Sequence, residues 1–233
     1  MNAAAQGEAL FQEGQRLYGE QCFSEAAERW GRAALLQHAP SHAHLSDMRF
    51  YGRVGVTRDV KRGFELATAG AALGCAQSKG VLGRCYVNGL GVAADQARVL
   101  ALGRESEADG SCFGQFVVGR CFYGGCGAVA QDHAEAVRLW RLAAEQGYAV
   151  AQSNLGSMFH LGQGVAKDYA EAVRLFRLAV AQGFASAQFN LGNMFESGKG
   201  VAKDRAEAIR WYRLAAAQGQ ASATASLKRL GAW

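Results

Sequence analysis

Paired glycines are the first residues whose spacing could do chemistry. They occur in GLGVAA from Gly89, GQGVAK from Gly162 and GKGVAK from Gly198, and a dinucleotide-binding loop uses similar spacing. That loop follows a strand and opens a helix, whereas a helical segment precedes each pair here. GNMFESGKG also departs from a P-loop, since five residues stand where four are required and Gly200 replaces the Ser or Thr. We therefore expect recurring turns and no nucleotide or other cofactor.

Three histidines could hold a metal ion. His38, His42 and His44 lie close together around Pro40, so two imidazoles could reach one ion. No cysteine pair with zinc-finger spacing completes the set. The favoured interpretation is exposed histidines in a loop, and we expect no metal.

Six cysteines could support redox or metal chemistry. Cys85 and Cys121 hold equivalent places in neighbouring copies of a tandem repeat. The axes of stacked helices lie about 8–10 Å apart, which is more than the Cα separation of about 7 Å that a disulfide bridges. Cys112 and Cys126 could fall near Cys121, which leaves a local metal or redox cluster open. The favoured interpretation is free thiols that serve as small apolar residues. The full set is Cys22, Cys75, Cys85, Cys112, Cys121 and Cys126.

Two rows of arginine could contact phosphate or an acidic partner. Glu135, Glu171 and Glu207 precede the first row by three residues, on the same helix face. No aromatic residues interleave with the rows, as single-stranded nucleic acid would require. We therefore expect a charge-paired outer face and no nucleic-acid partner. The rows are Arg138, Arg174 and Arg210, then Arg141, Arg177 and Arg213.

A tandem repeat positions these residues. The segments 151–186 and 187–222 are identical at 25 of 36 positions without a gap. Weaker copies precede them, and the copy at 114 carries one extra residue near Ala128. The predicted division is a single domain, 1–233, with units 6–41, 42–77, 78–113, 114–150, 151–186 and 187–222 and a cap at 223–233. The units 6–41 and 42–77 are degenerate.

Each unit is predicted to form two helices. Ala151, Leu155 and Phe159 are spaced by four and share one face of the first helix. Gly156 lies within that helix, which suggests a close crossing, and Asp168 is a suitable N-cap for the second helix. The glycine recurs as Gly83, Gly119 and Gly192, and the aspartate as Asp59, Asp95, Asp132 and Asp204. Large aromatic residues at core spacing recur as Trp140, Phe176 and Tyr212.

One such hairpin cannot bury its own apolar stripe, but stacked neighbours share a continuous core. The sequence therefore predicts an all-α fold. It is a right-handed α/α superhelical solenoid of about six helix-turn-helix repeats of ~36 residues, with a C-terminal capping helix. No Gly-x-Ser-x-Gly or His-Glu-x-x-His motif occurs, and few residues lie outside the repeat, so we do not expect an enzyme.

The pattern AxxxLGxMFxxGxGVxxDxxEAxxWYRxAAxQGxA resembles the Sel-1-like repeat family, relatives of the tetratricopeptide repeats. The resemblance covers nearly the full chain and implies a bacterial scaffold or adaptor for protein complexes. Its motif is structural and carries no catalytic residues to transfer. An immunity protein that antagonises a secreted toxin is the alternative. Some secreted members resemble disulfide-stapled, β-lactam-binding hydrolases, but this chain lacks their regular cysteine pair.

The first helices of such a solenoid line its concave groove. We expect a protein or peptide partner there, because Met adapts to varied surfaces and Asn can hold a peptide backbone. The alternative is that Asn154 and Asn190 hold the backbone of the next unit. The predicted groove residues are Arg84, Asn88, Arg120, Asn154, Ser157, Met158, Asn190, Asn193 and Met194.

The bulk composition restricts the class of protein. Half of the 233 residues are hydrophobic and the net charge is +5, which favours a folded chain without a strong nucleic-acid signature. No signal-like start and no long apolar run is present, so we expect a cytoplasmic protein without membrane insertion. A trimmed secreted chain would look the same. A monomer is the default expectation.

Overall fold

The computed structural model describes residues 2–126 and 129–232. Over these residues the chain is helical, and no strand is present beyond two isolated β-bridges, Arg53 to Val56 and Cys126 to Val129. The predicted all-α class is therefore confirmed. The extra residue near Ala128 and the final Trp233 lie outside the described residues.

Thirteen helices are described, and each odd-numbered helix up to α11 forms a hairpin with the next. They are α1 (Ala3–Gly19), α2 (Phe23–Leu35), α3 (Ala39–Tyr51), α4 (Val60–Ala72), α5 (Ala76–Asn88), α6 (Gln96–Ala108), α7 (Cys112–Gly124), α8 (His133–Glu145), α9 (Ala149–Leu161), α10 (Tyr169–Ala181), α11 (Ala185–Ser197), α12 (Arg205–Ala217) and α13 (Ala221–Arg229). Each hairpin begins two or three residues before the predicted unit. The chain divides into two compact units, Met1–Ala143 and Ala144–Trp233.

Aspartate caps the second helices, as predicted. The Asp168 side chain accepts a hydrogen bond from the Glu171 backbone N–H at 3.0 Å, and Asp204 accepts from the Glu207 N–H at 3.0 Å. These bonds satisfy backbone N–H groups of the first turn, which have no carbonyl acceptor within the helix. The Glu171 carboxylate turns to Arg174 at 2.7 Å instead of completing a capping box. Asp59, Asp95 and Asp132 make the same backbone contact.

The paired glycines form turns, as predicted. Gly162 and Gly198 end α9 and α11 with φ of +73° and +69°, in the left-handed region that glycine adopts without strain. Gly200 also has positive φ, and a Cβ there would overlap the Tyr169 carbonyl oxygen. Backbone geometry and close packing therefore explain these glycines.

The recurring glycine of the first helices packs against the aromatic residue of the second. A Cβ at Gly156 would lie 2.8 Å from the Phe176 ring, and one at Gly192 would lie 2.6 Å from the Tyr212 ring. The predicted close crossing is thus confirmed for these hairpins, and α1–α2 and α7–α8 repeat it with Trp30 and Trp140. Gly83 differs, because Gly103 replaces the aromatic residue on α6.

The helix α13 covers the end of the unit Ala144–Trp233, as the predicted cap requires. Leu227 is buried with Tyr212 and Ala215 of α12. Arg229 pairs with Glu196 at 2.7 Å, and Arg205 donates to the Leu230 carbonyl at 2.7 Å. These contacts satisfy the last carbonyls and hide the apolar face that an open hairpin would expose.

Candidate functional site

The predicted groove residues occupy four positions of the thirteen-residue first helices. The sixth position holds His44, Val81, Val117, Asn154 and Asn190. The ninth holds Asp47, Arg84, Arg120, Ser157 and Asn193. The tenth holds Met48, Cys85, Cys121, Met158 and Met194, and the last holds Tyr51, Asn88, Gly124, Leu161 and Ser197.

The tenth position belongs to the core, so the prediction that Met158 and Met194 are exposed is wrong. Each methionine is 1 % exposed. The apolar stripe of these helices follows i, i+4, i+7 and i+8, and Met158 stands seven residues after Ala151. The prediction used only the four-residue steps and therefore missed this position.

Arg84 is also buried, at 1 % exposure, which contradicts its predicted place on an open surface. Its guanidinium forms an ion pair with Asp47 and lies over the rings of Phe50 and Tyr51, 5.1 and 4.9 Å from their centroids. Guanidinium groups stack well on aromatic rings while pairing with a carboxylate in the same plane. Sequence spacing could not reveal this pairing, because its partners lie 37 residues apart.

Further positive charge surrounds this ion pair. Arg53 is buried with its guanidinium 5.9 Å from the Tyr51 ring centroid, and Arg120 is half-buried. Burial raises the pKa of Tyr51, and the positive charge of Arg84 opposes that shift. Arg120 is the predicted residue of this group that reaches solvent, where it can pair with a carboxylate of a partner.

Two side-chain amides of the unit Ala144–Trp233 are partly accessible to solvent. Asn154 and Asn190 are half-buried and hold the same position in α9 and α11. Within the described residues neither amide group has a hydrogen-bond partner. Among the described residues, no hydrogen bond supports the alternative that these residues hold the backbone of the next unit.

Other polar residues of these helices are engaged within the protein. Gln152 accepts from the Gln182 side chain at 3.0 Å, and Gln188 accepts from Gln218 at 2.9 Å. Asn193 accepts from the Tyr212 hydroxyl at 2.6 Å. These amides stabilise the hairpins, and the glutamine pairs were missed because the repeat conceals which glutamines meet.

Two more predicted residues bond to their own helices. Ser157 donates to the Ser153 carbonyl at 3.1 Å and is half-buried. Asn88 is exposed and donates to the Arg84 carbonyl at 3.2 Å. The residues that remain on an accessible surface are therefore Asn88, Arg120, Asn154, Ser157, Asn190 and Asn193.

The histidines do not form an exposed loop. His42 and His44 lie in α3, where Pro40 is accommodated in the first turn. His42 is 6 % exposed, and His38 bonds to Glu8 at 3.0 Å. Burial lowers the pKa of His44 to about 4. Within residues 2–126 and 129–232, no group of three or more His, Cys, Asp or Glu is arranged to hold a metal ion.

The cysteines are free thiols, and four of them are buried. Burial raises the pKa of Cys85 and of Cys121 to about 12. Cys126 lies beside Cys121 and its thiol donates to the Gln96 carbonyl at 3.7 Å, whereas Cys112 lies near Asp47. The structure therefore brings together two of the three cysteines that sequence spacing grouped.

The first row of arginines is charge-paired, as predicted. Arg138 and Arg174 each lie 2.7 Å from the glutamate three residues earlier, and Arg210 lies 3.3 Å from Glu207.

No helix among the described residues is both long and apolar enough to cross a membrane.

Comparison with known proteins then decides the family. The model of the Sel1 repeat matches residues 39–75, 81–102, 113–148, 149–184 and 185–220. The chain belongs to the Sel1 repeat family. The match includes the hairpin at 42–77 that the sequence pattern marked as degenerate, and it leaves α1 and α2 outside. Proteins of the Sel1 repeat family mediate protein–protein interactions. Comparison with curated proteins gave no significant match.

Solved structures share the fold. A Sel1 repeat protein from Oxalobacter formigenes is 27% identical with a TM-score of 0.60, covering 93% of this chain and 88% of that one. The protective antigen c5321 of uropathogenic Escherichia coli is 26% identical with a TM-score of 0.56, covering 93% of this chain and 47% of that one. The immunity protein Pa5087 from Pseudomonas aeruginosa is 20% identical with a TM-score of 0.54, covering 91% of this chain and 82% of that one.

Proposed function

We propose that this Sel1 repeat protein is a non-catalytic adaptor that binds a protein or peptide segment along the first helices of its hairpins. One observation carries the proposal. Asn154 and Asn190 occupy the same position in consecutive repeats, reach solvent, and lack a hydrogen-bond partner among the described residues.

A side-chain amide offers both a donor and an acceptor, which is the pair of groups that a peptide unit of an extended partner requires. Two such amides at a repeat spacing can therefore hold two peptide units of one segment. The other amides of these helices, in Gln152, Gln188 and Asn193, already have partners within the protein. Asn154 and Asn190 thus differ from their neighbours in a way that packing does not explain.

The unit Met1–Ala143 supplies a different contact. Arg120 is half-buried, and the nearby Asp47 already pairs with Arg84. The Arg120 guanidinium can therefore pair with a carboxylate side chain or the C-terminal carboxylate of a partner. We infer that the adaptor prefers a partner that presents carboxylates to this unit.

Affinity capture from the source lysate tests the proposal. The full chain is compared with Asn154→Ala/Asn190→Ala and with a control, Arg174→Gln/Arg210→Gln, which changes the second helices of the same two hairpins. Each lost amide contact is worth about 1 kcal/mol, so the captured partner should bind about ten- to hundredfold more weakly to the asparagine variant. All three proteins must share the same helical signal and melting temperature.

A partner captured by the wild type and the control but lost by the asparagine variant supports the adaptor. Equal capture by all three proteins contradicts the proposed face. Capture of one tightly bound toxin whose activity the chain suppresses would replace the adaptor by an immunity protein.

A further inference from the structure

An open cleft lies between the second helices α2 and α4, with α3 as its floor. Its volume is about 520 Å³, which is within the range of sites that bind small molecules and peptide side chains. Leu45 of α3 and Leu66 of α4 form its apolar base, and Leu35 stands at its edge with 80 % of its surface exposed. We refer to this space, between α2, α3 and α4, as the α2–α4 cleft.

Small residues keep the cleft open. Gly31 of α2 lines it, and a Cβ at this glycine would meet only Leu45 at an ordinary 3.9 Å. Ala69 of α4 lines the opposite wall. In the unit Ala144–Trp233, the corresponding residues of α10 and α12 are Arg177 and Leu214. The repeat therefore accepts large side chains at both positions.

Gly31 is unusual among the described glycines that lie in the interior of a helix. A glycine inside a helix costs about 1 kcal/mol relative to alanine. Close packing explains that cost at Gly14, Gly63 and Gly70, where a Cβ would come within 3 Å of another side chain. No side chain comes within 3 Å of a Cβ at Gly31, so close packing does not explain this glycine. In the folded protein, the missing side chain leaves space above Leu45.

The charges of the cleft favour an acidic ligand. Its walls carry three arginines and two glutamates, and Arg62 pairs with Glu65 at 3.0 Å. Glu28 lies 3.6 Å from Arg29, which stands outside the cleft. Arg32 is exposed and has no ion-pair partner within the described residues.

Arg49 lies at the floor of the cleft and is only partly satisfied. It donates to the Thr57 carbonyl at 3.2 Å, but its buried Nε–H has no hydrogen-bond partner among the described residues. That Nε–H is shut off from solvent, so a ligand in the cleft meets the rest of the half-buried guanidinium, from which a carboxylate can accept hydrogen bonds. Burial lowers the pKa of His42, which favours its neutral imidazole.

We propose that the α2–α4 cleft binds a peptide segment of another protein that presents a carboxylate side chain next to a large apolar side chain. The carboxylate lies between Arg32 and Arg49, and the apolar side chain packs on Leu45 and Leu66. This surface is separate from Asn154 and Asn190, so it does not depend on the function proposed above.

A random heptapeptide library displayed on phage tests the proposal. Peptides are selected on the full chain and counter-selected on Gly31→Leu/Ala69→Leu, which fills the cleft with side chains that the repeat tolerates. Enriched peptides are then labelled and titrated by fluorescence anisotropy. Both substituted positions face the cleft without crowding, so the filled variant should keep the wild-type melting temperature or exceed it.

The expected peptides carry Asp or Glu next to Leu, Ile, Met or Phe. They should bind at least tenfold more weakly to the filled variant and to Arg32→Gln, since a charged hydrogen bond is lost in the latter. Binding should weaken as salt increases. The control Arg104→Gln removes an exposed arginine outside the cleft and should change affinity less than twofold.

Three results would overturn the proposal. They are the absence of any enriched peptide, enrichment of basic peptides, and equal affinity for the wild type and the filled variant. Self-association of the wild type that the filled variant abolishes would make a second copy of this chain the occupant instead.

Discussion

In the thirteen-residue first helices, the ninth residue is charged in the unit Met1–Ala143 and neutral in the unit Ala144–Trp233. Asp47 and Arg84 form a buried ion pair flanked by aromatic rings. At the same helical position, Ser157 bonds to its own helix and Asn193 to a tyrosine hydroxyl. One hairpin backbone thus supports two kinds of polar contact. The repeat determines where a side chain lies, and its neighbours on other helices determine what it does there.

Replacing Asp47 by Ala should give the largest effect on this contrast. It leaves the Arg84 guanidinium buried without its carboxylate, which costs about 3–5 kcal/mol. Asn193→Ala, at the equivalent position, should cost about 1 kcal/mol because only a neutral hydrogen bond is lost. Urea unfolding followed by far-UV circular dichroism measures both. Equal losses would contradict the contrast between the units.

The pH dependence of stability should also differ between the units. His44 holds the sixth position of α3, and burial lowers its pKa to about 4 from its usual 6.5. The buried neutral imidazole contributes fully to the free energy of unfolding above pH about 6.5. This contribution is lost as pH falls toward 4, because the unfolded chain then binds a proton that the folded chain excludes. The loss is at most about 3 kcal/mol. Asn190 holds the equivalent position in α11 and does not titrate.

The variant His44→Phe isolates this effect, because other carboxylates titrate over the same range. Its stability should fall less between pH 6.5 and pH 4 than that of the wild type, as measured by urea unfolding at each pH. Identical pH profiles would assign the acid sensitivity to other groups.

Two glycines offer a contrast of opposite sign. Gly192→Ala places a Cβ 2.6 Å from the Tyr212 ring and should destabilise the unit Ala144–Trp233 by about 1–3 kcal/mol. Gly31→Ala meets no crowded neighbour and should stabilise α2 by up to about 1 kcal/mol. Thermal unfolding of the two variants beside the wild type measures both shifts. Loss of stability in Gly31→Ala would show that this glycine has a packing role after all.

The helix caps should give the smallest effect and the least difference between units. Asp59 and Asp168 each accept a hydrogen bond from a backbone N–H of the first helical turn, at 2.9 and 3.0 Å. Replacement of either by Ala should cost about 1 kcal/mol, because one donor loses its partner. Urea unfolding should place the two losses within about 0.5 kcal/mol of each other. A larger difference would mean that one cap has a further tertiary role.

Much of the fold follows from local signals in the sequence. Aspartate followed by an apolar stripe begins the second helices from α4 to α12, and glycine with positive φ ends α9 and α11, because capping and backbone freedom act within a few residues. The repeat spacing also predicted the close helix crossing at Gly156, which the structure places against Phe176. Each of these features depends on residues whose separation is set by the helix or by one hairpin.

The candidate site was less predictable for a physical reason. Arg84 and Asn154 both lie on first helices and look alike as polar residues in a repeat, yet one is buried and the other reaches solvent. Burial of Arg84 depends on Asp47, Phe50 and Tyr51, which come from another hairpin. No periodicity in one helix records that encounter.

By itself, the sequence determined the repeat, the helices, their caps and the family, because these depend on short-range spacing. Only the tertiary structure decided which polar groups find partners inside the protein and which remain available. It shows Arg84 paired with Asp47, Asn154 and Asn190 on an accessible surface, and a cleft above Leu45 at Gly31. The reason is that hydrogen bonds and exclusion of solvent depend on distances between helices, which the repeat period does not specify.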